Sequence, residues 1–288
     1  MSIIIIYTIA TLSVIGSSAA VILFFAAKKF KVVEDPRIDE VEEALPSANC
    51  GACGFAGCRA FAETAVKSDK LDDLYCPVGG NETMNKVAEI LGLEAIKNDP
   101  RIAYIRCNGT CDHRPKTSNF DGASTCAIEA SVYKGDTDCQ FGCLAHGDCY
   151  DACDFDAIEM RPELGVPRII DENCVACGAC VDACPRDLIE LRKKFPKYRK
   201  VVVSCMNEDK GGVARKACKV ACIGCGKCEK VCPFDAITIE NNLAFIDSDK
   251  CKLCRKCVPV CPTNAIEEFN FPPRKVKKEA KEESSTAK

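Results

Sequence analysis

The chain opens on a long uncharged run and changes character after it. Residues 2–27 contain no charged side chain, and about 20 apolar residues are enough for one helix across a membrane. The basic residues follow the run instead of preceding it, which disfavours a cleaved signal peptide. Because positive residues stay on the cytoplasmic side, Lys28, Lys29 and Lys31 predict an external N-terminus and a cytoplasmic remainder.

Hydrophobic and polar positions divide the rest of the chain into segments. Residues 44–98 have helical periodicity, and Asn81 is predicted to cap a helix whose apolar positions include Met84, Val87, Ile90 and Leu91. The expected segments are a membrane anchor (1–28), an acidic connector (29–43), a four-cysteine domain (44–100), a loop-rich segment (101–140), two repeat modules (141–190 and 218–270), a basic linker (191–217) and a disordered tail (271–288).

Cysteine content changes this picture. The chain has 25 cysteines among 288 residues, a fraction that indicates either a disulfide scaffold or metal ligation. Disulfide scaffolds are short and secreted, whereas this chain is long and its bulk is predicted to be cytoplasmic. The odd count also does not divide into pairs. We therefore expect metal or cluster ligation.

An internal repeat of four copies carries most of these cysteines. The copies begin at Cys143, Cys174, Cys222 and Cys251, and they form two pairs with starts 31 and 29 residues apart. Copies two to four read C-x2-C-x2-C-x3-C-P, the run of bacterial ferredoxins, in which the fourth cysteine ligates the other cluster of the pair. Zinc sites use two separated C-x2-C pairs, so the tandem triplets favour [4Fe–4S] clusters over zinc.

The exchange of fourth ligands assigns the repeat cysteines to four clusters. The predicted sets are Cys222, Cys225, Cys228 and Cys261; Cys251, Cys254, Cys257 and Cys232; Cys174, Cys177, Cys180 and Cys153; and Cys143, position 146, Cys149 and Cys184.

Copy one departs from the other three, because His146 replaces its second cysteine and Asp154 replaces the proline. Three interpretations remain open. His146 ligates iron, as histidine does in Rieske centres; or Cys139 takes the slot; or the cluster is three-iron, labile or absent.

Two further cysteine sets precede the repeat. Cys50, Cys53, Cys58 and Cys76 follow a C-x2-C-x4-C-x17-C spacing among glycines and helices, which suits one cubane, with zinc as the weaker alternative. A looser set predicts a sixth cluster on Cys107, Cys111, Cys126 and Cys139. Cys205 and Cys218 are then left over and are expected to be structural thiols, although Cys218 lies four residues before Cys222.

The arrangement of anchor, four-cysteine domain and ferredoxin-type modules resembles the B subunit of the Rnf complex. The stretches LPSANCGACGFAGCRAFA and VACIGCGKCEKVCPFDAI carry the resemblance, and the chain looks like the long form with two ferredoxin-like modules. The resemblance implies an α+β fold with one transmembrane helix, a small helical [4Fe–4S] domain and two double-cluster modules. It also implies other Rnf subunits as partners, at a bacterial cytoplasmic membrane, and cysteine where this chain has His146.

The family role implied by this resemblance is electron transfer from reduced ferredoxin toward NAD, coupled to sodium or proton translocation. The chain has no G-x-G-x-x-G fingerprint, so NAD and flavin are expected on other subunits, and nothing indicates nucleic-acid binding. The basic linker is a candidate for steering an acidic ferredoxin, with a solvated linker or a contact to another subunit as the alternatives. Rival functions are a zinc-binding interaction module and a self-contained iron–sulfur reductase or sensor.

Overall fold

The computed structural model describes residues 2–29, 35–95 and 97–274. Within them, four helices precede the first strand, and short helices and strands are interspersed from there on. The helices are α1 (Ser2–Lys29), α2 (Arg37–Ala44), α3 (Cys58–Lys67), α4 (Gly80–Leu91), α5 (Cys126–Val132), α6 (Asp148–Asp151), α7 (Ala179–Asp182), α8 (Gly211–Ala217) and α9 (Lys227–Lys230). The strands are β1 (Arg101–Ile105), β2 (Ile158–Glu159), β3 (Arg168–Ile169), β4 (Ile189–Lys193), β5 (Lys200–Val203), β6 (Ile237–Glu240), β7 (Leu243–Ile246) and β8 (Ile266–Phe269).

Helix α1 is the predicted apolar segment. Its stretch Ile6–Ala26 has a mean hydropathy of 2.2, and by length and composition it can cross a membrane. Its large apolar side chains are exposed in the isolated chain, from Ile6 to Phe25. An exposed apolar surface of this extent is stable only in lipid or against another apolar surface. Lys31 and the tail from residue 275 lie outside the described residues.

Helices α2, α3 and α4 form a small three-helix core around the first cysteine set. The largest buried side chains there are Phe61, Leu71 and Met84, and α2 packs against both other helices. The acidic stretch predicted to be a solvated connector is therefore part of this domain. Its acidic residues face water while Ile38 and Val41 are buried, an amphipathic helix that the charge run obscures in the sequence.

The predicted cap of α4 was wrong. Asn81 lies inside the first turn of the helix, and the residue before the helix, Gly79, makes no side-chain cap. The Asn81 amide instead donates to the carbonyl of Asn98 (2.8 Å) and accepts from the Asn98 backbone N–H (3.0 Å). Asn81 therefore joins the four-cysteine domain to the segment that enters β1.

The two repeat modules share one topology. Each has an entering strand, a first copy, a short antiparallel hairpin, a second copy and an exit strand that pairs with the entering strand. In module 1 the entering and exit strands are β1 and β4, and the hairpin is β2–β3; in module 2 they are β5 and β8, and the hairpin is β6–β7. The cysteine repeats are thus held between two small sheets, and each module has its own buried core.

The segment predicted as a basic linker is largely structure. It contributes β5, α8 and most of β4, and two of its cations are buried. Arg192 donates to the Ile246 carbonyl and to Glu190, and it lies over the ring of Phe245. Lys200 forms an ion pair with Asp171 at 2.6 Å. These cations join the modules, so they are not available to attract a partner.

Replacing Arg192 with alanine is expected to lower the free energy of unfolding by about 3 kcal/mol, because it leaves the buried Ile246 carbonyl without its donor and Glu190 without one of its two cationic partners. Arg161→Ala removes an exposed pair with Glu159 and is expected to cost at most about 1 kcal/mol. The measurement is an anaerobic guanidinium titration of the cluster-loaded protein followed by circular dichroism. Equal midpoints for the two variants would contradict the structural role of Arg192.

Candidate iron–sulfur centres

All four copies of the repeat have the same loop backbone. Each places two residues at positive φ in matching positions: Ala145 and Gly147, Ala176 and Gly178, Gly224 and Gly226, and Leu253 and Arg255. Glycine adopts this left-handed region without strain, which explains its use before α6, α7 and α9. Copy one keeps this backbone although it lacks the second cysteine. Its loop is therefore built like those of the complete copies.

In module 2 several of the thiols that the spacing grouped are neighbours in the structure. Cys228 lies beside Cys222 and Cys261, and Cys251 lies beside Cys254 and Cys232. Backbone N–H groups donate to these sulfurs, from Ala265 to Cys261 (3.2 Å), from Ala244 to Cys222 (3.4 Å) and from Leu253 to Cys251 (3.5 Å). Such donors stabilise the thiolate charge that iron ligation requires.

In module 1 the inner set surrounds one cavity. Cys153, Cys174, Cys177 and Cys180 all line it, together with apolar side chains such as Phe155. The N–H groups of Ala157 and Ala103 donate to Cys153 and Cys174, each at 3.4 Å. Four thiols with an apolar surround and backbone donors fit a cubane.

The set of the N-terminal domain also surrounds a single cavity. Cys50, Cys53, Cys58 and Cys76 line it, and the N–H of Gly79 donates to Cys76 at 3.4 Å. The loop that carries the first two cysteines is held by Asn49, whose side-chain oxygen accepts from the N–H of Cys58 at 2.8 Å. This contact fixes the start of α3 and with it the third thiol.

The outer set of module 1 differs from the expectation. The cavity there is lined by Cys143, Cys149, Cys184 and Cys126, and His146 is not among its lining residues. Cys126 is the first residue of α5, and its N–H donates to the Asp148 carboxylate at 2.7 Å. A cysteine from outside the repeat therefore completes a set of four thiols at the incomplete copy.

His146 has a different partner. Its Nε2 contacts the carboxylate of Glu129, a residue of α5 that is 2% exposed. The expectation of an iron-ligating His146 does not fit this placement, because the ring is engaged by a carboxylate and does not line the cavity of the cysteines. We interpret His146 as a positioning residue that holds α5, and thus Cys126, against the copy-one loop.

The sequence missed Cys126 at this position because it lies 17 residues before Cys143, outside any local motif. A weak signal was present. Thr125 caps the short helix that Cys126 begins, and Glu129 and His146 are separated by the same 17 residues as Cys126 and Cys143. Spacing within a chain does not reveal which distant segments pack together.

The loose set predicted on Cys107, Cys111, Cys126 and Cys139 is not assembled. Cys126 belongs to the cavity described above. Cys111 is exposed, and its N–H donates to the Leu164 carbonyl at 3.0 Å. Cys107 and Cys139 lie instead near Cys218, one of the two cysteines that the sequence left over.

Burial controls the chemistry of these thiols. Together with a smaller contribution from neighbouring cysteines, it raises the pKa of Cys149, Cys180, Cys205 and Cys257 to about 12. Free thiols there stay protonated, whereas iron binding deprotonates a coordinating thiol outright. Among the described residues no three His, Cys, Asp or Glu side chains are grouped tightly enough to hold a single metal ion.

The surface charge differs between the modules. The copy-four loop carries Lys252, Arg255 and Lys256 and no acidic residue, whereas the copy-one loop carries Asp148 and Asp151. Cys225 and Cys254 are the exposed thiols of module 2, and both lie beside exposed lysines. The charge of Arg255 is balanced by Glu268, which accepts from it twice at 2.6 Å. Lys252 and Lys256 dominate the charge around Cys254.

Three domain families match the chain, and the description of each names an iron–sulfur cluster. Residues 137–188 and 221–265 match the 4Fe-4S dicluster domain, and residues 173–235 match the 4Fe-4S double cluster binding domain. Residues 45–78 match a family described as a putative Fe-S cluster. These matches support iron–sulfur clusters over zinc. The architecture is a mixed helix and strand fold with ferredoxin-type domains and one apolar N-terminal helix.

Curated relatives cover most of the chain. The B subunit of a sodium-translocating ferredoxin:NAD(+) oxidoreductase complex from Acetobacterium woodii is 44% identical over 84% of this chain and 71% of the relative. The B subunit of a proton-translocating ferredoxin:NAD(+) oxidoreductase complex from Clostridium ljungdahlii is 40% identical over 86% of each. The B subunit of an ion-translocating oxidoreductase complex from Methanosarcina acetivorans is 39% identical over 87% of this chain and 93% of the relative. The chain belongs to the family of B subunits of Rnf-type ion-translocating ferredoxin:NAD(+) oxidoreductase complexes.

Proposed function

We propose that this chain is the membrane-anchored electron-transfer subunit of an Rnf-type complex. It accepts electrons from reduced ferredoxin and relays them within a complex that couples ferredoxin oxidation and NAD reduction to sodium or proton translocation. The observation that carries the proposal is a succession of cysteine quartets within one chain, without a site built for an organic substrate among the described residues. Bound clusters supply one-electron storage at potentials that the protein environment tunes.

The proposed ligands follow the placements of the thiols. Five sets hold one [4Fe–4S] cluster each: Cys50, Cys53, Cys58 and Cys76; Cys126, Cys143, Cys149 and Cys184; Cys153, Cys174, Cys177 and Cys180; Cys222, Cys225, Cys228 and Cys261; and Cys232, Cys251, Cys254 and Cys257. His146 is not a ligand in this assignment.

Contacts between neighbouring sets support an order. Cys257 lies near Cys228, which joins the two sets of module 2, and Cys180 lies near Cys149, which joins the two sets of module 1. At the other end, Cys50 lies near enough to Cys177 to raise its pKa, after burial and Cys153. The four-cysteine domain therefore follows module 1 in the proposed order, and it is the domain next to the membrane helix in the chain.

Helix α1 anchors this arrangement in the proposal. Lys28 and Lys29 end the helix, and positive residues favour the cytoplasmic side. The cluster domains then face the cytoplasm of a bacterial cell and the N-terminus lies outside. The cytoplasmic location suits a soluble ferredoxin as donor and keeps exposed thiols in a reducing compartment.

The proposed entry point is the exposed edge of module 2. Cys254 is exposed there beside Lys252 and Lys256, and a cationic rim attracts an acidic donor and raises its rate of association. This position replaces the basic linker, whose Arg192 and Lys200 are buried.

Anaerobic mixing with reduced ferredoxin tests the proposed function. Reduced ferredoxin is expected to reduce the purified, cluster-loaded chain. The reduction bleaches the visible absorbance of the chain and produces one-electron signals in electron paramagnetic resonance (EPR) spectra. The same mixing with oxidised ferredoxin is the control. A brown protein that ferredoxin does not reduce would contradict the donor, and a colourless zinc protein would contradict the relay.

A further inference from the structure

Two cysteines from each module that lie outside its quartets meet at the junction between the modules. We propose that Cys107, Cys139, Cys205 and Cys218 hold a sixth iron–sulfur cluster of the cubane type, shared by module 1 and module 2. The inference rests on the proposed function for the role of the site, whereas the site itself is argued from the positions of these residues.

The four cysteines occupy equivalent places in the two modules. Cys107 lies two residues after the end of β1, and Cys205 lies two residues after the end of β5. Cys139 and Cys218 each lie four residues before the first cysteine of their module's repeat. Each module therefore contributes one thiol after its entering strand and one before its first copy.

The backbone repeats this equivalence. The carbonyl of Cys139 accepts from the N–H of Gly142 (3.2 Å), and that of Cys218 accepts from the N–H of Ala221 (3.1 Å), three residues on in both cases. The residue after each entering strand also bonds to an equivalent partner, the residue directly before the exit strand. The N–H of Arg106 donates to the Leu188 carbonyl (2.7 Å), and the N–H of Ser204 donates to the Ala265 carbonyl (2.8 Å). The two insertions are thus folded alike where their cysteines lie.

Direct contacts bring the two insertions together. The N–H of Asn108 donates to the carbonyl of Ser204 at 3.1 Å, which places Cys107 beside Cys205. The N–H of Lys219 donates to the carbonyl of His113 at 3.0 Å, which holds the loop after Cys107 against the segment of Cys218. Both cysteine-bearing ends of module 2 therefore contact the loop of module 1.

Asn207 connects two of the four sulfurs from different modules. Its backbone N–H donates to Cys205 Sγ at 3.4 Å, and its side-chain Nδ2 lies 3.5 Å from Cys139 Sγ. The residue is 1% exposed, and a buried amide is stable only where its donors have partners. Cys205 Sγ also accepts from the N–H of Cys222 at 3.3 Å. These are the kinds of donors found at the five sets described above.

The remaining pairs are also neighbours. The thiols of Cys107 and Cys139 lie near the buried thiol of Cys218. Arg114, which is 7% exposed, lies close to Cys218 and donates to the carbonyl of Cys143 at 2.7 Å. It supplies a fixed positive charge beside the anionic site.

The location of the site would let it pass electrons between the two modules. Cys107 lies near Cys143 of the outer set of module 1, and Cys205 contacts the N–H of Cys222 in module 2. The junction therefore lies between the two ferredoxin modules. Without it, the proposed order has a gap between the modules; with it, 24 of the 25 cysteines have a place and Cys111 alone remains outside.

Iron and acid-labile sulfide analysis of the full chain tests the site independently of turnover. The wild type is expected to contain about 24 iron atoms, four for each of six cubanes. Cys205→Ser/Cys218→Ser is expected to contain about four fewer, as is Cys107→Ser/Cys139→Ser. Cys111→Ser is the matched control and is expected to retain the wild-type content.

A wild-type content of about 20 iron atoms that neither double variant lowers would overturn the sixth site while leaving the five-set relay in place, and a protein without iron would overturn both. One zinc ion per chain, lost in the double variants, would overturn a cubane at the junction.

If a double variant loses more than four iron atoms through misfolding, the Asn207→Ala variant tests the site instead. It removes the amide donor to Cys139 and is expected to shift one reduced signal to a more negative potential in an EPR titration. Unchanged potentials for all signals would overturn the site.

Discussion

A Cys126→Ala variant is expected to bind about four fewer iron atoms per chain than the wild type, the content of one [4Fe–4S] cluster. Cys126 lines the same cavity as Cys143, Cys149 and Cys184, and the thiols of Cys126 and Cys184 both raise the pKa of Cys149 beyond the effect of burial. Removing it leaves three thiolates for a four-iron group. Anaerobic iron and sulfide determination on the purified protein measures the loss.

His146→Gln is the matched control. Glutamine offers an N–H donor to Glu129 but no imidazole, so α5 stays in place while the only histidine of the repeat is removed. We expect wild-type iron content in this variant. Loss of about four iron atoms from His146→Gln, with full content in Cys126→Ala, would restore histidine ligation and exclude Cys126.

A Lys252→Glu/Lys256→Glu variant is expected to be reduced by ferredoxin at least about ten-fold more slowly at low ionic strength. These two lysines are exposed on either side of the exposed Cys254, and the loop contains no acidic residue. Reversal replaces attraction of an acidic donor by repulsion at the point of contact. Stopped-flow absorbance with reduced ferredoxin measures the rate.

Lys67→Glu/Lys70→Glu makes the same change in net charge on exposed positions of the four-cysteine domain. We expect this control to retain most of the wild-type rate. The difference between the two variants is expected to shrink as salt is added, because screening shortens the range of the lysine charges. Equal rates for both variants, or a difference that salt does not change, would place electron entry elsewhere.

The agreement between the sequence-based ligand sets and the structure has a local cause. In copies two to four the first three thiols belong to one loop of seven residues, and the fourth belongs to the paired copy of the same motif. The motif itself encodes the loop backbone, including left-handed residues such as Gly178 and Gly226. Copy one keeps that backbone although His146 replaces its second cysteine.

The predicted connector and the predicted linker differ from the structure because of contacts between segments that are distant in the sequence. Acidic residues over 34–43 suggested a solvated connector, yet α2 buries Ile38 and Val41 on one face. Basic residues over 191–217 suggested a linker, yet Arg192 and Lys200 are buried between the modules. Net charge along a segment records its solvent-facing side chains and gives no information on the few that face a neighbour.

The sequence by itself determined the apolar N-terminal segment, the four-copy repeat, its pairing into two modules and the expected ligands of its complete copies, because each depends on spacing within short stretches. Only the tertiary structure decided which distant thiols meet. Cys126 reaches copy one through α5, and the insertions after β1 and β5 carry Cys107, Cys139, Cys205 and Cys218 to one junction. These contacts between distant thiols depend on how insertions of unequal length pack against equivalent modules. Local periodicity in the sequence gives no information on that packing.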